Sequence, residues 1–159
     1  MQPISVQKLR NVLQGKLIHG SDQWSVQHAI YYNRHDLTKS HTLLFVSRSD
    51  QINWQEIDRK GPSLIISDKP STELKNALDN TTVLQVKSVT QAYWTFIEYY
   101  RGLFDIPVVA LTGTCGKTTT KEMLKHIASK HWQVQASVSS KNEPRQSLPY
   151  LTGIEEKTQ

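Results

Sequence analysis

A chain of 159 residues, 37% hydrophobic and 21% charged, can fold as one ordinary domain or as a small domain plus part of another, and it is too apolar to be disordered throughout. A net charge of +5 suits a phosphorylated partner, but the basic residues are scattered and carry no helix-turn-helix, zinc-finger or RNA-recognition signature, so nucleic acid is not expected. Residues 1–5 hold no apolar signal core, no run approaches a membrane span, and Cys115, the single cysteine, excludes an internal disulfide; a cytoplasmic protein is expected.

Ser5 is placed to cap a first helix whose Val6, Leu9, Val12 and Leu13 share one face, and Gly15 is its natural stop. Residues 16–33 are ambiguous, with Leu17-Ile18 and Ala29-Ile30-Tyr31 as short strand candidates. Thr42 to Ser47 predicts a buried strand, Asn53 to Lys60 a helix broken by Gly61-Pro62, and Ser63 to Ser67 a second buried strand. After the Asp68-Lys69-Pro70 turn, Thr72 to Leu78 predicts a short helix and Thr82 to Val86 another strand. This alternation argues for a small α/β domain over residues 1–87. Ser88 and Gln91 form a capping-box pattern, and Tyr93, Phe96, Ile97, Tyr100, Leu103 and Phe104 make an apolar stripe, so residues 88–105 predict a connecting helix.

Residues 106–159 are expected to begin a second domain. Ile106 and Val108 to Leu111 run without polar alternation, predicting a strand buried on both faces of a parallel sheet. A loop follows whose residues dictate a chemistry. Gly113 and Gly116 leave room for a phosphate, the backbone N–H groups of Thr114 and Cys115 can turn inward as an anion nest, and Lys117 adds a mobile positive charge. A helix opening at Lys117 aims its positive end at the same anion, with the Thr118 hydroxyl suited to Mg2+ and Thr119 beside it. ATP with Mg2+ is the expected ligand. Met123, Leu124, Ile127 and Ala128 predict a buried helix face, Lys121, Lys125 and Lys130 a solvated one, and Trp132 to Ala136 a further strand. The six histidines show no metal-ligand spacing.

Only two residues separate the loop glycines, against four in the general phosphate loop. Gly113-Thr114-Cys115-Gly116-Lys117-Thr118-Thr119-Thr120-Lys121-Glu122-Met123 after Val108-Val109-Ala110-Leu111 resembles the ATP loop of the Mur ligases, most closely the MurF type, which adds D-alanyl-D-alanine to a muramoyl tripeptide. The tail from Ser139 to Leu151 resembles the asparagine-containing segment that precedes a helix in that family, with Asn142 in place and Ser147 where glycine is usual. Asn33-Arg34 echoes the family's Asp-Ser/Thr-Arg element, while its Gly-Asp pair is absent near Phe45.

The resemblance implies an N-terminal domain for a UDP-linked muramoyl peptide, touched by Asn33, Arg34 and Asn142, joined to the start of an ATP domain. It implies an ATP-dependent ligase of peptidoglycan synthesis in which Lys117 assists formation of an acyl phosphate that an amine of the D-alanyl-D-alanine type attacks. Fewer than thirty residues follow Trp132, so the ATP domain is expected to be truncated, completed by a missing C-terminal part, and the chain alone inactive as a ligase. Two other readings stand beside this one. A folylpolyglutamate-synthase-like ligase shares the loop but lacks the uridine domain, and a non-catalytic nucleotide-binding or interaction remnant would keep the loop without the reaction.

Overall fold

A computed structural model describes residues 1–31, 39–47, 53–70, 79–137, 144–154 and 158. Its centre is a five-stranded sheet in the order β2-β7-β6-β5-β4, built from β2 (Lys16–His19), β4 (His28–Tyr31), β5 (Thr42–Val46), β6 (Ser63–Ser67) and β7 (Thr81–Gln85). The neighbours β4, β5, β6 and β7 run parallel, and β2 closes the sheet antiparallel to β7. A two-stranded ribbon, β1 (Ile4–Ser5) with β3 (Ser25–Val26), forms a second sheet, pairing Ile4 with Val26.

The central strands β5 and β6 carry continuous apolar centres, Leu43 to Val46 and Leu64 to Ile66, because both sheet faces are covered. Side chains alternate across the pleat. Leu43, Phe45, Leu64, Ile66 and Leu84 enter a large core beneath α1 (Val6–Val12) and α3 (Val89–Arg101), while Leu44, Val46, Ile65 and Val83 meet Ile57 of α2 (Trp54–Arg59) on the other face. The helices start where expected. Ser5 Oγ accepts the Lys8 N–H at 3.2 Å, Asn53 Oδ1 the Glu56 N–H at 3.2 Å, and Ser88 Oγ the Gln91 N–H at 3.3 Å.

The aromatic stripe of α3 is core. Phe45 lies 5.5 Å from Tyr93 and 5.6 Å from Phe96 between ring centroids, and the column continues through Tyr100 to Phe104. Leu103 departs from the expected stripe: it sits in the turn after the helix and is 42% exposed. The helix predicted over Thr72 to Leu78 lies outside the described residues.

Beyond α3 the expected second sheet is not formed among the described residues. Ile106 packs against the large core, but residues 107–111 form no strand, and Val108 and Val109 are 69% and 74% exposed. A strand needs a neighbour to take its N–H and C=O groups, and none of the described strands lies alongside. For the same reason α4 (Lys117–Ala128) has no buried face: Met123, Leu124 and Ile127 are exposed, and so is Trp132. The strand expected from Trp132 to Ala136 reduces to one parallel bridge, Gln133 with Thr158.

The last helix, α5 (Pro144–Thr152), returns to the first half. It packs on β4 and α3, and Leu148 and Ile154 join the large core.

Candidate nucleotide-binding site

The segment from Gly113 to Thr119 is a loop running into the first turn of α4, and all seven residues are exposed. Gly116 is the N-cap of α4 and has φ 76°, ψ −7°, the left-handed region where a side chain is strained. Gly113 has φ 150°, also positive. These two glycines turn the chain so that Lys117 begins the helix directly.

Gly116 offers no side-chain oxygen to the helix, and the first intrahelical bond to reach it is the Thr120 N–H to Gly116 O, at 2.9 Å. The N–H groups of the opening turn therefore have no intrahelical acceptor. The first turn holds no acidic residue, so nothing on it competes with an incoming anion for the positive end of the helix. Lys117 Nζ donates to the Gly113 carbonyl, folding the ammonium back over the loop that its own helix start completes. An ammonium, a row of free N–H groups and a helix terminus at one place can hold the phosphates of a nucleotide.

The loop also carries an exposed hydroxyl, that of Thr118, the kind of oxygen ligand that Mg2+ accepts. Mg2+ keeps several waters and takes most remaining ligands from phosphate oxygens, so it asks few ligands of a protein. Among the described residues no group of three histidine, cysteine or acidic side chains could hold a metal by itself. Cys115 is a free, exposed thiol at the middle of the loop.

Asn33, Arg34 and Asn142 lie outside the described residues. Asn33 and Arg34 follow β4, whose last residue is Tyr31.

Three residues in the elements on either side of the loop make side-chain hydrogen bonds that were not expected from sequence. Lys121, expected on a solvated face, donates to the Ser137 carbonyl at 2.5 Å and pairs with Glu122 at 3.1 Å, tying residues 133–137 to α4. Arg101 Nη1 and Nη2 donate to the carbonyls of Phe104 and Ile106 at 2.5 and 2.6 Å. Tyr100 Oη accepts the Gln2 N–H at 3.1 Å and donates to the Ile154 carbonyl at 3.2 Å. A basic residue in the last turn of a helix was the one available signal, since such residues commonly bond nearby carbonyls; α3 ends on Arg101.

No helix among the described residues is long and apolar enough to cross a membrane. No protein-family model matches the chain, and no curated protein does. Solved structures do. Crystal structure I of MurF from Acinetobacter baumannii matches with a TM-score of 0.79 at 23% identity, and crystal structure II with 0.78 at 22%. The structure of UDP-N-acetylmuramoylalanyl-D-glutamyl-2,6-diaminopimelate--D-alanyl-D-alanyl ligase from the same organism matches with 0.77 at 23%. Each match covers 100% of this chain and 34–35% of the other. The neighbours are thus MurF ligases, as the loop's resemblance implied, and this mixed α/β chain has the fold of about a third of such an enzyme.

Proposed function

We propose that this chain is the nucleotide-loop portion of an ATP-dependent amide ligase of peptidoglycan precursor synthesis. The observation that carries the reading is the uncapped start of α4, where Gly116 in the left-handed region, Lys117 and the N–H groups without an intrahelical acceptor stand together in a chain with a MurF fold. Gly113, Thr114, Cys115 and Gly116 wrap the β and γ phosphates of ATP with backbone N–H groups. Lys117 turns from Gly113 to the phosphates and offsets negative charge as it shifts during transfer. Thr118 and Thr119 close the turn, and the Thr118 hydroxyl joins the coordination of Mg2+, which when bound neutralises the phosphate oxygens.

The first half supplies the platform for the other substrate, a UDP-linked muramoyl peptide, with Asn33, Arg34 and Asn142 as its proposed contacts. Its carboxylate attacks the γ phosphorus, ADP leaves, and the resulting acyl phosphate is attacked by an amine of the D-alanyl-D-alanine type, releasing inorganic phosphate and leaving an amide. A reaction between ATP and a nucleotide-linked precursor places the protein in the cytoplasm. The match across the entire chain, first half included, supports the MurF type over a folylpolyglutamate-synthase-like ligase, whose resemblance covers the loop without a uridine domain. The residues divide accordingly: 1–87 as the substrate platform, 88–105 as the connection and 106–159 as the start of the ATP domain.

Since the chain spans about a third of the ligases it matches, nucleotide binding is what this length of chain is asked to show, and turnover is not. Calorimetry with MgATP tests it. Saturable binding is expected, and Lys117→Ala should weaken it by about 2 kcal/mol or more, the scale of a lost charge-assisted contact. Equal binding by the parent and the variant would overturn the assignment of Lys117.

A further inference from the structure

The last turn of α3 holds both ends of the region that carries the phosphate loop. At the entry, the Arg101 guanidinium bridges the carbonyls of Phe104 and Ile106. At the exit, the hydroxyl of Tyr100, the adjacent residue, donates to the Ile154 carbonyl. Between these ties the described side chains leave the large core at Pro107 and rejoin it at Leu148.

Arg101 is not an ordinary helix-end basic residue. Its acceptors lie beyond the C-cap, Gly102, on chain that has already left the helix. The planar fork of arginine presents two N–H groups in fixed relation, so holding both carbonyls fixes the direction of the backbone between them. That backbone is the last packed on the large core before the exposed run to Gly113: Phe104 is buried and Ile106 half-buried, whereas residues 107–116 are exposed.

We infer that Arg101 is a positioning residue, which sets the orientation of the phosphate loop relative to the first half without touching the nucleotide. The inference rests on the ligase reading for its purpose. Phosphoryl transfer requires a carboxylate held by one part of the protein to approach a γ phosphate held by another to about 3–3.5 Å, and a misplacement of about 1 Å is costly. A loop on an exposed tether meets that demand only if its root is fixed, and Arg101 fixes it.

The test uses the full chain and its own chemistry. Cys115 is the single cysteine and sits in the loop, and Gln55 is exposed on α2, so Gln55→Cys gives a second labelling site on the first half. The spin-label distance distribution between the two positions is measured without nucleotide, in the otherwise unchanged chain and in Arg101→Gln and Arg101→Lys. A distribution roughly twofold wider in Arg101→Gln is expected, with partial recovery in Arg101→Lys, because an ammonium replaces the fork imperfectly. Near-UV circular dichroism of the aromatic column, read in parallel, should be unchanged. The unlabelled variants should bind MgATP within about threefold of the parent, since the loop itself is intact.

A distribution in Arg101→Gln as narrow as the parent's overturns the inference. So does broadening accompanied by loss of the aromatic signal, which would make Arg101 a simple stabiliser of α3. If Arg101→Gln does not fold, Arg101→Lys is judged by the same two readouts. Failure of the parent to bind MgATP would overturn the nucleotide reading instead, and it leaves the distance result standing as a statement about geometry.

Discussion

Two apolar runs in this molecule have the same character and opposite fates. Thr42 to Val46 is fully buried, with β4 on one side, β6 on the other and helices on both faces. Val108 to Leu111 is as rich in branched apolar residues, yet all four are exposed and none is in a strand. The difference lies in the surroundings. A strand is stabilised by the ladder and the side chains across it, and an apolar run states only that it can enter a sheet. The first half supplies that sheet, while the second presents an apolar surface across residues 108–111, Met123, Leu124, Ile127 and Trp132.

The largest effect expected from this contrast is at Phe45. Its ring touches Tyr31, Tyr93 and Phe96 and has no exposure. Phe45→Ala should cost about 3–5 kcal/mol, seen as a lower urea midpoint with an unchanged slope. A loss no larger than that of an exposed valine would mean that β5 is not the centre of the stable unit.

An alkaline titration sharpens the contrast with a smaller effect. Burial first, and then the neighbouring Tyr31, push Tyr93 up to about 12. The unfolded chain releases this proton near pH 10 and the folded chain only well above it, so between those values the native state binds more protons than the unfolded state. The stability contributed by the buried phenol is complete below about pH 10 and is lost as pH rises toward the folded value. Tyr93→Phe should flatten this decline while the ring keeps its place. The decline is followed by urea unfolding at several alkaline pH values, and an equal decline in the variant would remove Tyr93 as its cause.

The fold of the first half was legible because its signals agree. Leu43 to Val46 and Leu64 to Ile66 are unbroken apolar runs that end in polar residues, and Ser88 with Gln91 marks the start of α3 to the residue. Gly116 and Lys117 were likewise legible, since a positive φ and a helix start are local requirements. What sequence could not convey were decisions made by distant chain. Ile106 to Leu111 carries the pattern of a strand, but pairing depends on residues elsewhere. The return of Leu148 and Ile154 to a core begun at Ile4 is set by a contact across the whole length of the chain. Arg101's place in the last turn of α3 was readable, but which carbonyls it holds was not, because backbone acceptors leave no mark in the residue pattern.

The smallest predicted effect is the most discriminating. Val109→Thr keeps the β-branched shape and exchanges a methyl for a hydroxyl, and the same exchange at Val83 provides the buried counterpart. Val83 has no exposure and faces Leu44, Val46, Ile57 and Ile65, so its hydroxyl would be taken from water into an apolar cluster, at a cost of about 1–3 kcal/mol. Val109 is already in water, and its threonine should change the unfolding free energy by less than about 0.5 kcal/mol. Urea melts of the two variants decide the matter. Equal losses would mean that residues 108–111 pack in solution as tightly as β7 does, and the difference between the halves would vanish. Unequal losses would leave residues 108–111 as a surface whose apolar side chains add little to the stability of this chain, in contrast to the same residue type inside the sheet.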